Sequence, residues 1–144
     1  MNVDITSSLA IAAPAPAVWD IISDFSRNPE WQKGMDSCVW LTDPPLRVGS
    51  RYTQEASFLG RTIRSVFEVT ELVAGSTVTI DTVEGTFPIT VTRSIDETSE
   101  GCVIRAHVRG NPTGLMGLLS PLTTQIVKRS VAADYKRLKA AVEA

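Results

Sequence analysis

Between residues 36 and 110 the chain consists of short segments rich in Val, Thr, Ile and Phe, each closed by a turn signal. The signals are Asp43-Pro44-Pro45, Leu59-Gly60, Ala74-Gly75-Ser76, Glu84-Gly85 and Glu97 to Gly101. They cut out strands near 37–42, 49–58, 62–72, 76–83, 86–95 and 102–109. Consecutive strands joined by such short turns pair as an antiparallel sheet, and one face of that sheet must be covered. Ser120-Pro121 reads as a helix N-cap followed by proline at the first helical position, and no Gly or Pro interrupts the chain from there to about Glu143. At about 1.5 Å per residue that helix exceeds 30 Å, and it is the only element long enough to cover the sheet.

Ahead of the strand-rich region, Val3, Ile5, Ser7, Leu9 and Ile11 alternate onto one face of a further strand. Pro14 and Pro16 then suit the start of a helix with Val18, Trp19, Ile21 and Ile22 as its apolar positions. A second short helix follows through Asn28-Pro29 and carries Trp31. The order is β-αα-β6-α, an α+β fold, read as a single domain over residues 1–144.

Composition excludes several function classes. Fourteen Lys+Arg against sixteen Asp+Glu give a net charge of −2, which is not the balance of a domain that binds nucleic acid by neutralising phosphates. A chain of 144 residues buries roughly two thirds of its unfolded surface and needs neither disulfide nor metal to hold it together. Cys38, Cys102 and His107 are the whole cysteine and histidine inventory, too small for a thiolate–histidine zinc site or a haem attachment. No cofactor is expected, and both thiols are expected to be reduced. Met1-Asn2-Val3-Asp4 lacks a basic segment before an apolar run, and the uncharged stretch from Gly110 to Val127 is broken by Pro112, Gly114, Gly117 and Pro121. Neither a signal peptide nor a membrane span is expected, and the location is read as cytoplasmic.

Pro14-x-x-x-Val18-Trp19, Asp24 and Trp31 resemble the opening signature of the START-like / Bet v 1-like superfamily. Val48-Gly49-Ser50, Val69-x-Glu71-Leu72, Glu100-Gly101-Cys102-Val103 and the closing Leu138-Lys139…Glu143 continue the resemblance across essentially the whole chain. It points to the polyketide cyclase/dehydrase and lipid transport branch. The resemblance implies a helix-grip fold, in which a seven-stranded curved antiparallel sheet wraps a long C-terminal helix with a cavity between them. The motifs that carry it are architectural, and none assigns a catalytic residue.

Alternation along the strands sorts the candidate lining. Tyr52, Gln54, Ala56 and Phe58 share one face and are read as inward. The same rule turns Ile63, Ser65, Phe67 and Val69 inward, with Phe87, Ile89 and Val91, and with Cys102, Ile104, Ala106 and Val108. On the long helix Thr123, Ile126, Val127, Ser130, Val131, Leu138 and Val142 form a broad arc, opposite Lys128, Arg129, Lys136 and Lys139. The candidate ligand-binding residues are Tyr52, Gln54, Phe58, Ser65, Phe67, Phe87, Ile89, Val91, Ala106, Met116, Leu119, Thr123, Val127 and Ser130. An apolar concavity with a few hydrogen-bonding groups suits a lipid-like or aromatic ligand, although a dry core uses the same residue types.

The titratable residues add less. Asp134 sits within the apolar arc near Ser130; it is read as solvated where the helix leaves the sheet, the alternative being a buried group that orients a ligand or acts as a base. His107 alternates with Val103, Arg105 and Arg109 and is read as a surface histidine. Arg64, Arg93 and Arg105 are read as surface charge, forming an anion site only if a face assignment slips by one residue. Cyclases of the family are expected to use an inward arginine, and none is placed here. Gly114 to Leu122, with Met116, Leu118 and Leu119, reads either as a hydrophobic lead-in to the helix or as a flexible gate. Trp19, Trp31 and Trp40 read as core or rim packing.

The leading reading is a protein that binds, sequesters or carries a small hydrophobic, lipid- or polyketide-like molecule. The alternative is a cyclase, aromatase or dehydratase working by positioning and acid–base chemistry from Tyr52, Gln54, Ser65 or Asp134. A third reading is a regulatory or toxin-like protein acting through an unidentified protein partner. A monomer or weak dimer is expected.

Overall fold

The computed structural model describes residues 3–58, 60–85, 88–110 and 121–144, the side chains of 3, 58 and 121–123 excepted. Strand β1 (Val3–Ile11) leads into helix α1 (Ala15–Ile22) and a 3-10 turn (Phe25–Glu30). Six strands follow: β2 (Met35–Trp40), β3 (Arg51–Phe58), β4 (Arg61–Val73), β5 (Thr77–Gly85), β6 (Ile89–Thr98) and β7 (Gly101–Gly110). Helix α2 (Pro121–Glu143) closes the chain. The strands form one curved antiparallel sheet in the order β1-β7-β6-β5-β4-β3-β2, the helix-grip architecture.

Neighbouring strands in this order are neighbours in sequence except for β1, which pairs with β7 from Val3↔Gly110 to Ile11↔Cys102. The turn into β7 brings its backbone so close to β1 that a side chain at Gly101, whose φ is +148°, would put Cβ 2.2 Å from the Ile11 carbonyl oxygen. Only glycine fits there.

Helix α1 begins behind Pro14 with a further proline in its first turn, and it buries Ala15, Val18 and Ile22 along one stripe. Its last turn meets the 3-10 turn at Asp24, whose carboxylate accepts from the Ser26 N–H at 3.1 Å and from the Trp40 indole N–H at 3.0 Å. Helix α2 is tied to the β1 end of the sheet. The Ala12 N–H donates to Glu143 at 2.8 Å, Lys139 reaches the Ala10 carbonyl at 3.1 Å, and Lys139 also pairs with Glu143.

The stripe that α2 turns inward is narrower than the expected arc. Val131 and Ala133 are half-buried, and Asp134, Tyr135 and Leu138 are buried, whereas Ile126 and Ser130 are exposed. From residue 124 to Ser130 every side chain is exposed or half-buried, and full burial begins only at Asp134, so Ser130 and Ile126 lie on the half of α2 that packs least closely on the described residues. The expectation of an inward Ser130 is therefore corrected. Cys38 and Cys102 are free and buried. Among the described residues no helix is long and apolar enough to cross a membrane, and no group of three or more His, Cys, Asp or Glu is placed to hold a metal.

Candidate functional site between the sheet and the terminal helix

The inward face carries two packed clusters. One lies under α1 and α2 and contains Ile11, Val18, Ile22, Trp31, Ile95, Cys102, Ile104, Ala106, Tyr135 and Leu138. The other lies under β2 to β5 and contains Phe25, Cys38, Tyr52, Phe67, Val69, Val78 and Ile80. Its centre is an aromatic stack: Phe25 on Tyr52 with centroids 4.9 Å apart, and Tyr52 on Phe67 at 5.4 Å. Trp40 meets Phe25 and Tyr52 edge-on. Alternation produces this stack, because Tyr52 and Phe67 face one another across the β3–β4 register.

Beside the stack, between the sheet and α2, is a cavity of about 170 Å³. Its walls are Met35, Tyr52, Gln54, Phe67, Ile80, Ile89, Val91 and Val108 from the sheet, and Val131, Asp134 and Tyr135 from the helix; Asn28, Gln32 and Arg93 complete them. Five candidate residues thus meet here: Tyr52, Gln54, Phe67, Ile89 and Val91. Ala106 faces inward but is packed in the α1 cluster, and Ser65 is buried at a separate groove with Gln54 and Gly85. Val127 is half-buried and does not line the cavity. Phe58, Phe87, Met116, Leu119 and Thr123, with the suggested gate around them, lie outside the described residues or side chains.

Arg93 overturns the expectation of surface charge. It is 3% exposed and faces inward, because β6 alternates without a break from Ile89 through Val91 and Arg93 to Ile95. Arg64 and Arg105 are exposed and pair with Glu55 and Asp96 on the outer face, as expected. One amino group of the Arg93 guanidinium donates to the Ile22 carbonyl at 2.9 Å and to Asn28 Oδ1 at 3.2 Å. The first bond places a cation on the C-terminal carbonyls of α1, where the helix dipole favours it. The faces of the guanidinium are covered by Phe25, 4.5 Å away, and Trp31, 4.9 Å away. No carboxylate among the described residues lies within ion-pair distance of it.

Asp134 is also corrected. It is 9% exposed rather than solvated, and Oδ1 accepts from the Lys33 N–H at 3.2 Å and from the Arg137 guanidinium. Burial raises its carboxyl above the ordinary value, while the Lys33 N–H, Arg137 and Arg93 pull it back down. Arg137 also donates to the Trp31 carbonyl at 3.1 Å, so this cluster ties α2 to the turn before β2. His107 stands on the outer face with Nε2 2.7 Å from Asp4, as expected.

Among the described residues four buried polar atoms have no hydrogen-bond partner: Trp31 Nε1, Gln32 Oε1, Tyr52 Oη and Arg93 Nε. Three of them belong to residues that line the cavity. Burial lifts the Tyr52 hydroxyl well above its ordinary pKa against the opposing charge of Arg93, and it lifts Tyr135, which also meets Arg93, in the same way. Cys38 is pushed up to about 11 by burial, with Asn28 and Arg93 opposing, and its protonated thiol donates weakly to Gln54 at 4.0 Å. Such groups are hydrogen-bond donors at neutral pH, not nucleophiles. Gln32, on the turn before β2, was missed because nothing in its local pattern marks a wall residue. Arg93 was legible, two positions after Val91.

A sequence profile of the family described as polyketide cyclase / dehydrase and lipid transport matches residues 2–143. No functionally curated protein matches the chain in sequence. Among solved structures, the chain is similar to TTHA0849 from Thermus thermophilus, with 20% identity, 96% of each chain covered and a TM-score of 0.83. It is also similar to a START superfamily protein from Mycobacterium smegmatis, with 15% identity, 97% of each chain covered and a TM-score of 0.83. The ginseng major latex-like protein 151 from Panax ginseng gives 14% identity, 97% of each chain and a TM-score of 0.77. The match over residues 2–143, together with the curved sheet closed by one long helix, places this chain in the polyketide cyclase / dehydrase and lipid transport family of the START-like / Bet v 1-like superfamily.

Proposed function

We propose that the chain binds a small hydrophobic molecule between the sheet and α2, and sequesters or carries it. The observation that carries this reading is the cavity wall: Phe67, Ile80, Ile89, Val91, Val108 and Val131 around three residues that each hold a buried polar atom without a partner among the described residues. An apolar concavity with a few convergent hydrogen-bonding groups is the general form of a small-molecule site. The test is native mass spectrometry of gently purified protein, denaturing extraction of anything retained, and displacement of a fluorescent naphthalene-type probe. A retained apolar molecule, or a displaceable probe in stoichiometric amount, is the expected result. A clean mass together with no probe binding overturns the reading.

A second reading, a cyclase or dehydratase, gains from one observation: Arg93 lies inside, near Tyr52 and Asp134. In that reading Arg93 and Tyr52 polarise a carbonyl, and Asp134 exchanges a proton, each as a positioned donor or acceptor. Turnover of a poly-β-keto substrate that Tyr52→Phe and Asp134→Asn abolish would raise it above simple binding.

A further inference from the structure

A buried chain of hydrogen bonds runs from β6 through the 3-10 turn and β2 to β3. It starts at Arg93, which can only donate, so the Asn28 atom 3.2 Å from its amino group is the acceptor Oδ1. That turns the Asn28 amide, whose Nδ2–H then donates to Cys38 Sγ at 3.8 Å. Burial pushes the Cys38 thiol up to about 11, so it keeps its proton at neutral pH, and the S–H donates to Gln54 Oε1 at 4.0 Å. Strand register makes this last step, since Cys38 and Gln54 face one another across β2 and β3. Arg93, Asn28 and Cys38 are all buried, so little water competes for these bonds.

Every link points the same way, and the chain ends by fixing the Gln54 amide: Oε1 faces back to the thiol and Nε2 faces away from it. Gln54 is half-buried and lines the cavity with Asn28 and Arg93, whereas Cys38 is not part of the wall. Among the described residues Nε2 has no hydrogen-bond partner, yet it is not one of the enclosed atoms that lack one, so it keeps accessible surface. The side chain lies on the inward face of β3, so that surface opens toward the cavity. Resting on the binding reading above, we infer that Gln54 selects the ligand: its Nε2–H holds an acceptor oxygen, of the ketone, ester or ether kind, on an otherwise apolar body. Asn28 and Cys38 are positioning residues that act through the amide. Turned over, the same amide would present Oε1 and select a donor such as an amine, and the Arg93 end of the chain opposes that orientation.

The test titrates the intact protein with acetophenone and with α-methylstyrene, the same shape with a methylene in place of the carbonyl oxygen. NMR follows the methyls of Ile80, Ile89, Val91 and Val108 and the side-chain N–H pair of Gln54. Acetophenone is expected to shift the Gln54 N–H resonances downfield, which α-methylstyrene does not. Gln54→Leu should cost acetophenone about fivefold in affinity relative to α-methylstyrene, the scale of one neutral hydrogen bond. Cys38→Ala lets the amide turn over, and with half of it in the competent orientation the relative cost should be about twofold. The N–H readout uses the unmodified protein, so it stands even where a variant folds poorly. If both probes move the cavity methyls while the Gln54 N–H pair ignores acetophenone and Gln54→Leu weakens both alike, the donor inference falls and the binding reading survives. If Gln54→Leu has its expected effect and Cys38→Ala has none, the positioning role falls. If neither probe moves a cavity methyl, the binding reading falls with the rest.

Discussion

The two halves of the inward face follow the same alternation rule and end in different states. Under α1 and the end of α2, the side chains of Ile11, Val18, Ile22, Ile104 and Leu138 pack together between sheet and helices, and among the described residues there the Trp31 indole alone is a buried side-chain polar group without a partner. Under β3 to β6, a stack of aromatic rings stops short of the helix, and the gap is bordered by Tyr52, Gln32 and Arg93 with groups unpaired. A filled half is what stability alone selects, since interiors are packed to the density of organic crystals. The unfilled half departs from that rule at the point where polar satisfaction also fails. Sites where local rules break together are where function is expected.

Substitutions in the filled half should therefore affect stability alone. Gly101→Ala is expected to have the largest effect, about 3 kcal/mol or more, because Cβ would meet the Ile11 backbone and the positive φ would be strained. Urea unfolding measures it, and a cost below about 1 kcal/mol would show that β1 and β7 are not held as closely as described. Leu138→Ala, at a position with 0% exposure, should cost about 3 kcal/mol without altering the affinity of a cavity ligand. A loss of affinity there would show that the two halves are coupled.

The unfilled half should behave otherwise. In the ligand-free protein Tyr52→Phe removes a buried hydroxyl that has no partner, so stability should stay level or rise by about 1 kcal/mol. A fall of about 1 kcal/mol or more would mean that the hydroxyl is already satisfied. The smallest expected effect belongs to Asp134. Its folded-state pKa lies above the ordinary 3.8, so the folded protein holds this proton longer than the unfolded chain does. That contribution to stability is complete below about 3.8 and is lost as pH rises through the raised value. The stability of the wild type minus that of Asp134→Asn, which does not titrate, should decline as pH climbs from 3.8. A difference independent of pH would contradict the burial of this carboxyl.

Most of the fold was legible because its signals are local. Turn residues cut out the strands, Pro14, Pro16 and Pro121 marked helix starts, and alternation placed Tyr52, Phe67, Ile89 and Val91 inward. The site was less legible because it depends on how elements meet. Asp134 is buried only because the turn before β2 brings the Lys33 N–H to it across a separation of 101 residues, and Gln32 joins the wall from that same turn. Arg93 differs from both: its parity along β6 is plain, and only its charge suggests the surface. On a strand inside a curved sheet, period two decides the face and the charge must then find its partners. Here it found Ile22, Asn28 and two aromatic rings.

The most direct test of the central claim is to titrate toluene into methyl-labelled protein and compare the two halves. Saturable shifts are expected at Ile80, Ile89, Val91 and Val108, with Ile11, Ile104 and Leu138 unmoved. Shifts spread equally over both halves, or absent from the cavity methyls at saturating toluene, would contradict the claim.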